Sequence, residues 1–404
     1  MERSAPPPPQ VDFAVVGGGI LGLAVARELL KRNPGASLAV IEAEDRIATH
    51  QTSHSSGVIH AGVYYEPGSL RAKLCVEGAA ELTAYCDLRS IPYRRSGKLI
   101  VATSTDELTR LDRLEERARE NDVPGLARLS GSEIGSIEPN ARGLSALHSP
   151  GTAVVDFGVV AFAFAEDVEA AGGSVHVWSP VTGIDSTPDG LALQMTRGKT
   201  QARQSVFCCG LQSDRLARLA GGDAEPRIVP IRGGYLKVRA GREDLVRGNL
   251  YPVPDPELPF LGTHFTRDID GSLLIGPTAM LAGARDAYRL SKLRGRDLLD
   301  TIAWPGTWCL VRRHPGAAVR EIHHSVSARS LVKEAQRLLP GLRLEDVEPG
   351  PAGVRAQALG RDGKLIEDFL VERTENAVHV RNAPSPAATS SLALARMVVN
   401  ELEV

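Results

Sequence analysis

Asp12 to Arg32 reads DFAVVGGGILGLAVARELLKR, and this stretch decides the fold. Phe13 to Val16 is a short apolar, partly β-branched run of the kind that forms a buried parallel strand. From Ile20 to Arg32, apolar residues recur at Leu21, Ala24, Val25 and Leu29, which is helical spacing. Gly17, Gly19 and Gly22 fall on the junction at G-x-G-x-x-G spacing. A second apolar run, SLAVIEAE, carries Glu42 at its end, 20 positions beyond Gly22. Gly17 permits a tight turn, Gly19 lets the backbone approach a pyrophosphate at the helix N-terminus, and Gly22 lets helix pack on strand. The acid accepts hydrogen bonds from a ribose, which argues against a phosphorylated ribose and hence against NADP. These residues alone leave NAD and FAD both open.

Just downstream lies HQTSHSSGVIHAGVYY, in which Ser55, Ser56, Gly57, Ala61 and Gly62 surround the imidazole of His60. So little side-chain bulk lets backbone approach something flat or phosphorylated, while one titratable group is aimed at it. A flavin ring needs such a loop after the second strand.

Residues 68 to 87 and 105 to 121 read as helices, the second with a charged, solvated face, and SGKLIVAT between them reads as a strand. A helix, glycine turn and strand follow near residue 155, then the strand QSVFCCGLQSD. Residues 226 to 280 read as several strands, including IVPIRGGYLKV and LPFLGTHFTRD, and residues 285 to 340 as mostly helical. Strand alternation puts Tyr235 with Lys237, and His264 with Thr266, on shared faces. Those faces either line a site or simply meet solvent. Near the C-terminus, VHVRNAPSPAATSSLALARMVV runs from a strand through a turn into a helix expected to begin near Ala388 or Thr389.

The 404 residues suggest two domains, and 43% hydrophobic with 24% charged residues is ordinary for a globular protein. A net charge of -2 without a basic face excludes nucleic acid as an expected partner. Five cysteines without C-x-x-C spacing read as reduced thiols of a cytoplasmic protein. The start, MERSAPPPPQ, lacks a signal-peptide core and reads as a mobile Pro-rich tail. No segment approaches the roughly 20 apolar residues of a spanning helix.

The sequence resembles FAD-dependent oxidoreductases of the D-amino-acid oxidase type, and within them the L-2-hydroxyglutarate dehydrogenase/oxidase family. The resemblance runs from about Val11 to the end and is carried by GGGILGLAVARELL, HQTSHSSGVIHAGVYYEPGSLRAKLC, IVPIRGGYLK, LYPVPDPELPFLGTHFTRDIDG, GVRAQAL with LIEDFLV, and NAPSPAATSSLALA. It implies an α/β (α+β) two-domain fold: a Rossmann-type FAD-binding domain with a second, mainly antiparallel sheet domain over the substrate. The expected division is a flexible tail at 1–10, a discontinuous FAD-binding domain at 11–89, 146–225 and 345–404, and a cap at 90–145 and 226–344.

The resemblance also implies noncovalent FAD, held by Gly17, Gly19, Ile20, Gly22, Glu42 and Ala43 at the nucleotide end. Thr52, Ser55, Ser56, Gly57, Val58, Val181, Cys209, Gly210, Gly276, Gly353, Arg355, Pro386, Ala387, Ala388 and Thr389 complete its expected cradle. The implied reaction takes (S)-2-hydroxyglutarate to 2-oxoglutarate, with oxygen or a quinone-linked acceptor reoxidising the flavin and no metal involved. His60 and His264 are the candidate bases, His60 preferred because its loop should lie beside the ring. Arg355 and Lys237 are the expected carboxylate cations, with Tyr235, Thr266 and Ser385 also on the substrate. Peripheral association with the inner face of a membrane is left open. Three departures stand out: the family usually has Asn at Ser55, a Glu-Tyr pair where Gly234-Tyr235 stands, and Asn at Thr278. Another hydroxy acid or an amine as substrate is the nearest alternative, and an NAD-dependent dehydrogenase rests on the first motif alone.

Overall fold

A computed structural model describes residues 5–256 and 260–402 as a mixed α/β fold around two large sheets. The strand Gln10–Val16 is the centre of the first sheet, and the helix Ile20–Arg32 follows it after the glycine turn. Leu38–Ile41 and then Ser174–His176 add in parallel on one side, and Gly198–Phe207 on the other. Val181–Thr187 and Gly190–Met195 lead antiparallel into Gly198–Phe207, whose last residues also pair in parallel with Ala377–Asn382. Leu38–Ile41 is buried along its whole length and Gly198–Phe207 over its last three residues, and helices cover one side: Ile20–Arg32 packs against Phe157–Ala170 and Ser391–Asn400 in the largest core. That last helix starts at Ser391, slightly later than expected, because residues 384–390 are consumed by the turn before it.

The second sheet has nine strands and is antiparallel except where Asn249–Pro252 runs parallel to Lys98–Ala102. Two expected boundaries are corrected by it. Ser145–Ser149 pairs with Lys98–Ala102, and Val347–Leu359 pairs with Arg227–Val238 along nearly its whole length, so both belong to this sheet. Apolar alternation announces a strand but not which sheet it joins.

The Pro-rich start is also corrected. Residues 1–4 lie outside the described residues, but from Ala5 onward the chain is tied down: His176 Nδ1 donates to Ala5 O at 2.9 Å, Thr200 Oγ1 to Pro8 O at 2.8 Å, and Gln201 N–H to Pro9 O at 2.9 Å. Proline has no N–H to give, yet its carbonyl accepts as well as any other. The expected strand LPFLGTHFTRD is shorter than anticipated, His264–Arg267, and its Leu258 and Pro259 lie outside the described residues.

Candidate active site

Gly17 has a φ of +112°, and a Cβ there would fall 2.3 Å from Cys208 O; one on Gly22 would fall 1.9 Å from Gly17 O. Strand, turn and helix therefore meet at distances only glycine allows. Gly19 is the helix N-cap and offers no side-chain acceptor, so the N-terminal donors face outward except for Ile20 N–H, which binds Thr52 Oγ1 at 3.1 Å. Glu42 follows its strand directly, next to Ala43, and its carboxylate accepts from Gly18 N–H at 2.7 Å and Glu44 N–H at 2.9 Å. Val181 and Cys209 pack against the same cluster as Val16 and Ile41, and Gly210 (φ +46°) abuts Gln51 of the following loop. A bare helix N-terminus beside glycines that admit no Cβ, with an acid at the next strand's end, fits the nucleotide half of FAD.

The loop from Thr52 to Val58 is held by its own turns, Ser55 Oγ donating to Thr52 O at 3.1 Å, and Gly57 takes a φ of +69° between Ser56 and Val58. Two distant segments close on it. Gly353 approaches so closely that a Cβ would lie 2.5 Å from His54 O, and the Pro386, Ala387, Ala388, Thr389 turn delivers Thr389 Oγ1 to His60 N–H at 3.1 Å. Gly78 in the helix Leu70–Leu88 leaves room for that turn, since a Cβ there would meet Ser390 Cα at 2.6 Å.

The second sheet supplies the opposing wall, and its register says which side chains form it. Leu236, Ile275, Phe265, Leu250 and Leu99 lie opposite one another in adjacent strands and bury into the sheet's own core. The pleat sends their neighbours Tyr235, His264, Thr266, Tyr251 and Lys98 to the other face. His264 is confirmed on a face with Thr266 by Tyr251, whose ring stacks on the imidazole at 4.0 Å and whose hydroxyl lies 3.4 Å from Thr266 Oγ1.

His264 Nδ1 lies 2.8 Å from Gly262 O. A carbonyl only accepts, so Nδ1 carries the hydrogen and Nε2 presents a lone pair. Burial pushes this imidazole down to about 3, with Lys98 and Arg355 adding to the effect. His60 is arranged the other way round. Lys98 Nζ is 3.5 Å from its Nδ1, an ammonium only donates, and the ring hydrogen therefore sits on Nε2, 3.3 Å from Ser385 Oγ. Burial, then Lys98, holds His60 well below the ordinary imidazole range, so both rings are neutral at pH 7.

Arg355 donates to Thr278 O at 3.3 Å and lies over the Phe260 ring at 5.4 Å. Among the described residues it has no carboxylate partner, so it is not an ion pair stitching the C-terminal segment down. Tyr235 lies within electrostatic reach of it, with a phenol raised by burial. Lys237 shares the face of Tyr235, and its charge reaches Asp268 and Asp270. Gly276 stands opposite His264 within the second sheet. Two of the departures form one unit: Gly234 N–H donates to Thr278 Oγ1 at 3.0 Å and Thr278 N–H to Gly234 O at 3.0 Å.

Sequence reasoning missed Lys98, Tyr251 and Arg71. Arg71 donates to Ser385 O at 3.0 Å and so fixes the turn beside His60. Lys98 is only 2% exposed, with its Nζ 4.5 Å from the Tyr251 ring centre and 5.1 Å from that of Tyr64. The only signal was a lysine opening the otherwise apolar run KLIVA.

The chain is 46% identical over 405 residues to the mitochondrial L-2-hydroxyglutarate dehydrogenase of Mus musculus, covering 96% of this chain and 87% of that one. It is 39% identical to the L-2-hydroxyglutarate dehydrogenase of Indibacter alkaliphilus, over 95% of this chain and 97% of that one. Among solved structures, the FAD-bound L-alpha-glycerophosphate oxidase of Mycoplasma pneumoniae superposes with a TM-score of 0.80 at 22% identity, covering 98% and 95% of the two chains. Glycine oxidase from Geobacillus kaustophilus gives 0.73 at 21%, again over 98% and 95%. These two show a shared fold, and the sequence profile of the FAD dependent oxidoreductases matches residues 12–401. With a glycine turn, acid and loop that fit FAD, the chain belongs to the FAD-dependent oxidoreductase family.

Proposed function

We propose that the protein oxidises (S)-2-hydroxyglutarate to 2-oxoglutarate, with the first sheet's domain holding noncovalent FAD and the second sheet covering the substrate. The observation that carries this is an imidazole with a bare Nε2, His264, on one sheet face with Arg355, which has no carboxylate within ion-pair distance among the described residues, opposite the loop of His60. The relatives named for this reaction support the choice of substrate.

Bound FAD supplies the acceptor for the hydride that leaves C2. His264 Nε2 takes the hydroxyl proton, and the fixed tautomer keeps that lone pair available. His60, with its hydrogen on Nε2, donates to a substrate oxygen. This reverses the preference for His60 as base, for a reason the sequence does not contain: the hydrogen-bond partner of the other ring nitrogen. Arg355 takes one carboxylate through its planar guanidinium, and Tyr235 and Ser385 flank the substrate. Anaerobic titration of the yellow protein should bleach the flavin band with the (S) dicarboxylate and leave it intact with the (R) form or lactate. A band that (S)-2-hydroxyglutarate leaves unchanged would overturn the reading.

A second reading concerns the route of the electrons. No helix among the described residues is long and apolar enough to cross a membrane. The helix Pro315–Val326 nevertheless exposes Val319 (69%), Ile322 (53%) and Val326 (69%) on one face, and Leu293 and Leu299 are exposed earlier in the same helical region. Across 289–333 basic residues outnumber acidic ones in a chain of net charge -2. An apolar stripe with basic flanks suits the surface of an anionic bilayer, where a quinone could take the electrons. We infer peripheral attachment there, facing the cytoplasm, in keeping with five free thiols; the animal relatives are named mitochondrial. Vesicles rich in phosphatidylglycerol should sediment the protein, and Ile322→Asp should release it. Equal recovery with phosphatidylcholine vesicles, or none with either, would refute the attachment.

A further inference from the structure

Lys98 is the most anomalous charge near the site. It is 2% exposed, and among the described residues no carboxylate lies within ion-pair reach. Among the described residues its Nζ meets His60 Nδ1 at 3.5 Å and faces the rings of Tyr251 and Tyr64. The nearby Cys75 thiol cannot serve as counter-ion, because burial pushes it up to about 12 and leaves it protonated. A buried ammonium without an anion costs stability, and burial accordingly pulls Lys98 down to about 8; an arriving anion recovers that cost. Aromatic faces soften that cost without cancelling it.

Sheet register puts Lys98 on the face of His264 and Tyr251, and the charges of Lys98 and Arg355 both reach His264. The imidazole therefore lies within the field of both cations. Lys237, another basic side chain on that face, lies within electrostatic reach of Asp268 and Asp270. We propose that Lys98 is a substrate-binding residue that receives one carboxylate of the dicarboxylate while Arg355 receives the other, making Lys98 the residue that selects two-headed acids. This rests on the function proposed above.

The arrangement has a kinetic corollary. A dianion neutralises both cations whose field suppresses proton uptake at His264, whereas a monocarboxylate neutralises one. A 2-hydroxy monocarboxylate should then lose in the rate constant of flavin reduction as well as in affinity.

The test uses the FAD-loaded full chain and two unreactive probes, glutarate and butyrate, followed by the perturbation of the flavin spectrum and by calorimetry. Wild type should prefer glutarate. Lys98→Met should weaken glutarate at least tenfold, leave butyrate within about twofold, and raise the melting temperature of the ligand-free protein, since an uncompensated buried charge has gone. Lys98→Gln, which keeps hydrogen bonding without charge, should lose glutarate equally. If wild type prefers glutarate and either variant keeps that preference, Lys98 does not bind the carboxylate and only this inference falls. If wild type itself does not distinguish the two acids, the dicarboxylate reading falls with it.

Discussion

His264 and His60 are the same residue type in the same kind of surroundings, and what separates them is the partner of one ring nitrogen. Gly262 O fixes the hydrogen of His264 on Nδ1, and Lys98 fixes that of His60 on Nε2. His264→Gln should therefore lower the rate of anaerobic flavin reduction by about 10²–10⁴-fold, measured by stopped flow, while substrate affinity changes little. A smaller loss there than in His60→Gln would reverse the two roles. The departures from the family at Gly234 and Thr278 belong to this scale too. Their backbones and the Thr278 hydroxyl hydrogen-bond to each other, so the two positions lie side by side. Arg232 is the neighbour that notices, since a Cβ on Gly234 would come 2.7 Å from its guanidinium.

Among the elements, the strand, glycine turn and helix were legible from Phe13 to Arg32, because each glycine answers a local steric demand visible in the spacing, whereas the strand's true start at Gln10 was not. Gly22→Ala should put a methyl group against Gly17 O, forcing helix and strand apart at a cost of roughly 1–3 kcal/mol. Such a variant should purify colourless, and an absorbance spectrum that still shows stoichiometric flavin would contradict the role given to the turn. Other elements were only half legible. Alternation predicted correctly that His264 and Thr266 share a face and Tyr235 and Lys237 another pair of positions on it, yet it could not tell that Lys237 sits near an acidic turn and Lys98 near an imidazole. Those facts depend on which strands become neighbours. The same blindness drew the expected domain boundaries at 146 and 345, although Ser145–Ser149 and Val347–Leu359 pair within the second sheet.

For the whole molecule, pattern and motif anticipated two sheets and a dinucleotide, and the family resemblance supplied FAD, but the docking of the Pro-rich start was hidden, since proline's effect on local flexibility says nothing of what its carbonyls meet. The site itself draws on nearly the full length of the chain: the glycine turn at one end, His60 and Lys98, then His264, Arg355 and finally Thr389. The first sheet likewise waits for Ala377–Asn382 to pair with Gly198–Phe207. During synthesis, most of the polypeptide must therefore emerge from the ribosome before the wall beside His60 can close. Flavin capture becomes a late event, and a messenger truncated before the codon for Thr389 yields a chain whose loop at His60 lacks the hydroxyl that anchors it.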